Sequence, residues 1–265
     1  MATIVEQPPA PTKVGDESFF LKSAIIMAII IAAGFSFQLW MGRSTFASPV
    51  RVHVHAVLFM GWVAIYLTQN SLVAASRIDL HRKLGWVAAG WMVAMVVSGF
   101  VVTVAMVRSG TVPFFFQPLH FLIFDPVAIS TFGGLTAAAI VLRRRTEWHR
   151  RLHFCGMTIL IAPAFGRLLP MPLLQPWSWE AAFTVALLFP FAGVLADIRR
   201  GGHVHPAWKW GIAAILGSFV ITQAVTYSPI GTAIYDRVTE GSRGAAVPPL
   251  EFQPPPEGPL MTGRS

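Results

Sequence analysis

His53, His55 and His120 stand near the outer ends of the second and fourth of seven apolar segments. His81, His149 and His153 stand near the inner starts of the third and fifth. Neutral imidazoles offered by different helices are suited to hold a haem iron in a membrane bundle. An outer pair, His55 with His120, and an inner pair, His81 with His149 or His153, would hold haem b near each face. Trp62, Tyr66 and Gln69 follow His55 at steps of seven, four and three, which places them on one helical stripe. Among the inner candidates His153 lies deepest. His81 and His149 are flanked by Arg and Lys, and residues so placed also serve as plain interfacial groups. His203 and His205 sit two apart in a loop, where only extended backbone could turn both toward one ion, so no metal beyond a haem iron is expected.

Asp125 and Arg167 are the other chemically informative residues. Each lies well inside an apolar segment, where an ionisable group costs about 2.5–3.5 kcal/mol on insertion scales. Both fall in the outer half, so they are expected to pair, as a working site or as a packing salt bridge. Pro126 lacks the N–H that would bond the Leu122 carbonyl, leaving an acceptor one turn above Asp125. Gln38, His55, His120, Glu180 and Gln223 are expected at similar depth. The layer suggests a polar pocket opening outward, suited to a quinone headgroup, a haem edge or a small polar ligand.

The elements that would position these groups are membrane helices. Of 265 residues, 54% are hydrophobic and only 12% charged, which excludes an ordinary soluble domain. The net charge of +8 comes from short basic clusters between apolar runs, a pattern that suits lipid headgroups and not nucleic acid. The single cysteine, Cys155, excludes a disulfide framework. A span takes about 20 apolar residues, and seven fit: about 22–43, 51–77, 83–108, 117–142, 152–173, 179–198 and 210–228. The chain therefore reads as an all-α integral membrane protein with seven transmembrane helices over residues 21–228. Residues 1–20 form a cytoplasmic segment, and 229–265 a Pro-rich, disordered extension outside. With the amino terminus inside, thirteen Lys and Arg face inward and six outward. That bias places the chain in the cell inner membrane with its amino terminus cytoplasmic and its carboxyl terminus periplasmic. Trp86, Trp177, Trp179, Trp208 and Trp210 read as interfacial anchors.

The pattern R-x-x-x-H-R-[K/R]-L-x-aromatic occurs twice, from Arg77 to Trp86 and from Arg145 to Phe154. Both copies join two spans on the inner side. Spans two to five thus read as two similar hairpins making a four-helix core, with spans one, six and seven around it.

His55 followed by Gln69-x-x-Leu72, His81-Arg82-Lys83-Leu84-Gly85, His149-Arg150-Arg151 and the embedded Phe165-Gly166-Arg167 resemble a bacterial family of predicted polytopic membrane proteins, known as a domain of unknown function. The resemblance covers about residues 50–175, and His153 departs from it, standing where that family often has Met. It implies a multi-helix membrane protein and brings no activity with it. Histidine placement over consecutive helices is loosely similar to the cytochrome b561 superfamily, which implies two haems. The leading expectation is a b-type haem electron carrier or quinone-linked redox protein, with quinone or a redox protein as partner. The alternative is a small-solute or proton-coupled transporter, or an accessory subunit of a membrane complex. No nucleotide loop, nucleophile elbow or zinc-protease motif is present, and no catalytic residue is named.

Overall fold

A computed structural model describes residues 14–257. The elements are helical: α1 (Val14–Trp40), α2 (Val50–Ala74), α3 (Ile78–Ser109), α4 (Pro118–Val141), α5 (Thr146–Leu168), α6 (Ser178–Gly201), α7 (Pro206–Thr226) and α8 (Pro229–Thr239). Positions 1–13 of the expected amino-terminal segment lie outside the described residues, and from Val14 that segment is already α1. Among the described residues six helices, α1, α2, α3, α4, α6 and α7, are long and apolar enough to cross a membrane.

Local sequence accounts for the boundaries. Proline, which needs no N–H partner, opens α4, α7 and α8. Gly110 and Gly202 close α3 and α6 with φ of 71° and 69°, the left-handed geometry that glycine adopts without strain. The helix expected over 152–173 runs instead from Thr146 to Leu168. Arg143 to Arg145 form a tight turn, so α5 begins two turns earlier. It stops where Leu169 turns extended before Pro170. A short 3-10 turn (Met171–Leu174) then leads to α6.

The packing places α5 at the hub, against α1, α4, α6 and α7. The neighbours α2 and α3 pack together, as do α4 and α5, yet α2 makes no comparable contact with α5. Helix α1 packs against both α2 and α5, and α6 and α7 touch the hub directly. Phe154, Cys155, Met157 and Ile161 on α5 are buried, with α1 closing over them through Phe20, Ala24 and Met27. Gly34 lets α1 approach so closely that a Cβ there would sit 2.8 Å from the Ala164 carbonyl oxygen. Trp86, Trp177 and Trp210 are exposed, as interfacial anchors would be, whereas Trp208 is fully buried and Trp179 packs inside the bundle.

The extension expected to be disordered is folded as far as it is described. Its proline content hides α8, whose Tyr235 is buried and donates to the carbonyls of Gly244 and Val247, both at 3.1 Å. The chain then returns to α4, where Leu119 N–H donates to the Pro249 carbonyl at 2.8 Å and Gln117 Nε2 to that of Leu250 at 2.7 Å.

Candidate functional site

Three groups of polar residues occur in the bundle, and they divide the expected sites differently from the sequence reading. The first lies at the end opposite the basic turns, where α4 and α6 begin and α7 ends. Here a cavity of about 400 Å3 is lined by Phe115, Phe116, Gln117, His120, Pro176, Trp177, Trp179, Glu180, Gln223, Tyr227 and Phe252. Its volume falls within the range of small-molecule sites. His120 is only 6% exposed, held edge-on to Trp179 with ring centroids 4.9 Å apart. Trp179 is itself stacked on Phe219 at 5.1 Å. Gln223 Nε2 donates to Glu180 Oε1 at 3.1 Å.

These bonds leave three buried atoms without a hydrogen-bond partner among the described residues: His120 Nε2, Glu180 Oε2 and Gln223 Oε1. A buried polar atom left unpaired costs about 1–3 kcal/mol, and here three belong to residues that line one cavity. Glu180 lies in the first turn of α6, where the helix dipole favours an acid. The dipole accounts for an acid at that turn, and not for a buried oxygen left unpaired. Tyr227, just past the end of α7, spans the rim and donates to Gln117 Oε1 at 3.0 Å. Burial, and then the Glu180 charge, push its phenol above the ordinary value. A smaller, mostly apolar cavity of about 40 Å3 shares Trp179 and is lined in part by Thr158, Ser218 and Thr222.

The second group holds Asp125 and Arg167, which do not make the direct pair expected of them. Among the described residues no ion pair joins them. The Asp125 carboxylate accepts from the Thr103 hydroxyl on α3. Arg167 donates to the Pro163 carbonyl one turn back at 2.9 Å, and its guanidinium lies over the Phe35 ring at 4.1 Å. Gln38 Nε2 donates to the Arg167 carbonyl at 3.2 Å. The two charges remain within electrostatic reach of each other, as Arg167 is of His55. His55 stacks on Phe59 at 4.1 Å, and its Nδ1 lies 3.4 Å from Ser98 Oγ. His55 and His120 thus have different surroundings, and no ring contact joins them. Helix period and depth placed both in one layer but not on one side of it.

The third group lies at the opposite end. The two copies of the repeat fold alike: Arg77 and Arg145 precede α3 and α5, and their carbonyls accept from His81 N–H at 3.1 Å and His149 N–H at 3.0 Å. The His81 and His149 rings meet at 6.1 Å, and His149 meets His153 at 4.7 Å. His149 Nδ1 is bonded to the Ala139 carbonyl at 2.8 Å, and His81 Nδ1 is buried without a partner.

A network that the sequence reading missed lies beside this group. Arg151 bonds Asp197 through Nε to Oδ2 at 2.9 Å and Nη2 to Oδ1 at 2.7 Å, and also pairs with Glu147. Asp197 Oδ2 further accepts from Trp208 Nε1 at 2.9 Å. The network clamps α5, α6 and α7 together. Its signal was the lone acid near the end of an apolar segment otherwise closed by Arg199 and Arg200. His205 caps α7, its Nδ1 accepting from Ala207 N–H at 3.1 Å, and His203 Nδ1 instead contacts the Gly201 carbonyl. These two histidines have separate local roles.

The chain matches no protein-family model, no curated protein and no solved structure.

Proposed function

We propose that this chain is a seven-span protein of the inner membrane that takes up a small ligand in the cavity walled by His120, Glu180 and Gln223. The observation that carries the reading is that three residues lining that cavity each hold a buried polar atom with no partner among the described residues. Glu180 Oε2 and Gln223 Oε1 accept only, so the ligand must bring hydrogen-bond donors. A quinol headgroup and a protonated amine both meet that demand. The seventh span in this reading is α5. At about 1.5 Å per residue its 23 residues reach roughly 34 Å, enough to cross. Its charges are tolerable because α1, α4, α6 and α7 cover it from lipid. The basic turns then face the cytoplasm and the cavity faces the periplasm.

Thermal unfolding of the detergent-purified protein against hydroquinones, alkylammonium ions and small polyols tests the reading. A ligand that raises the midpoint in the parent, and fails to in Gln223→Leu, supports it. A panel without effect, or one equally effective on Gln223→Leu, contradicts it.

A second reading, haem b binding, is favoured at the opposite end. His81 and His149 come from different helices, and the Nδ1 bond of His149 to a carbonyl leaves its Nε2 for iron. A reduced-minus-oxidised spectrum with a b-type band, lost in His149→Ala, supports it. Absence of the band after expression with ample haem removes it.

A further inference from the structure

We infer that the ligand of the His120–Glu180–Gln223 cavity is a compact organic cation, a protonated amine. The inference rests on the reading of that cavity as a ligand site and specifies its chemistry. Among the described residues Glu180 carries the only full charge on the cavity wall, since neither Lys nor Arg lines it. Its Oε1 is bonded to the neutral Gln223 amide, and its Oε2 is buried and unpaired. A carboxylate so placed lacks a counter-charge, and a bound cation would supply one.

Most of the remaining wall is aromatic. Trp177, Trp179, Tyr227, Phe115, Phe116 and Phe252 surround the space, and the negative faces of such rings attract a cation, Trp most strongly. A buried carboxylate within an aromatic wall suits a charged amine better than an uncharged solute of equal size. It suits a quinone poorly, because a quinone only accepts hydrogen bonds. The Gln117 and Gln223 amides that would serve it already donate to Leu250 and Glu180. Phe252 comes from the returning carboxyl-terminal segment, pinned to α4 by the Leu119 and Gln117 bonds, so the site includes the tail.

The test is a titration of tryptophan fluorescence in the full-length, detergent-solubilised protein. The probes are neopentylammonium chloride, neopentanol as its neutral counterpart, hydroquinone, and sodium chloride as the ionic-strength control. Saturable quenching by neopentylammonium, absent with neopentanol and sodium chloride, is expected. Glu180→Gln should weaken it about tenfold or more, and Trp177→Leu severalfold. Neopentanol binding as tightly as the cation, or neopentylammonium binding unaffected by Glu180→Gln, overturns the inference. Hydroquinone binding without the cation also overturns it while leaving the cavity a ligand site. No binding of any probe overturns both. Should Glu180→Gln fail to fold, the comparison of cation with neopentanol on the parent protein decides alone.

Discussion

The Arg151 guanidinium lies side-on to the Asp197 carboxylate, bonded twice at 2.9 and 2.7 Å, with both side chains about 95% buried. Removing Asp197 would leave Arg151 with Glu147 as its remaining acid and Trp208 Nε1 without its acceptor, a loss of about 1–3 kcal/mol. Asp197→Asn is expected to lower the thermal midpoint. Arg151→Met combined with Asp197→Leu should recover part of the loss, because the buried guanidinium is no longer short of an acid. A double variant no better than the single one contradicts this account of the clamp.

Asp125 and Arg167 are expected to be coupled only weakly, as charges within reach of each other but without a direct bond. Each has its own direct partners, Thr103 for one and Pro163 with Phe35 for the other. A double-mutant cycle with Asp125→Asn and Arg167→Gln should give a coupling below about 1 kcal/mol, and exchanging the two residues should not restore stability. Thr103→Val should destabilise the protein as much as Asp125→Asn does. A coupling of several kcal/mol would show that the two charges are partners after all.

The fold of the tail depends on Gly244, where a Cβ would collide with the carbonyl oxygen of Val107. Backbone cannot yield as a flexible side chain can. Gly244→Val is expected to release the segment after α8, measured as faster limited proteolysis there than in the parent. Since Phe252 is part of the cavity wall, the same variant should lose ligand binding. Unchanged proteolysis contradicts the docking.

His205 makes α7 sensitive to acid. Burial, and then the Arg151 charge, hold its imidazole below the usual 6.5. Because the folded value is depressed, its contribution is present above 6.5 and is lost as pH falls through the lower folded value. A protonated ring also cannot accept from Ala207 N–H. His205→Asn keeps a capping acceptor that does not titrate. Its midpoint should fall less than that of the parent between pH 7 and pH 5, and equal slopes contradict the assignment.

Much of this was legible in the sequence, for reasons particular residues make plain. Long uncharged runs gave the six apolar helices, and the repeated Arg-x-x-x-His pattern gave the paired starts of α3 and α5 that bring His81 and His149 together. His120, Glu180 and Gln223 were placed at one depth, and they share a cavity. Depth along a helix follows from counting residues, but which neighbour a side chain faces depends on packing. That is why His55 and Asp125, at a similar depth, belong to a different group. The Arg151–Asp197 clamp was hidden because charges at span ends ordinarily face water. The tail was misread because proline content masks the short α8, whose order comes from Tyr235 and Gly244 packing on the bundle.

The account rests most heavily on α5, which has to cross the membrane for the cavity to face away from the basic turns. With Cys155 replaced by Ala, single cysteines at Arg144 and at the exposed Leu173 bracket this helix. Labelling with a membrane-impermeant maleimide in intact cells and in inverted vesicles measures the side of each. The account predicts labelling of Leu173→Cys from the periplasm only and of Arg144→Cys from the cytoplasm only. Labelling of both from the same side would contradict it.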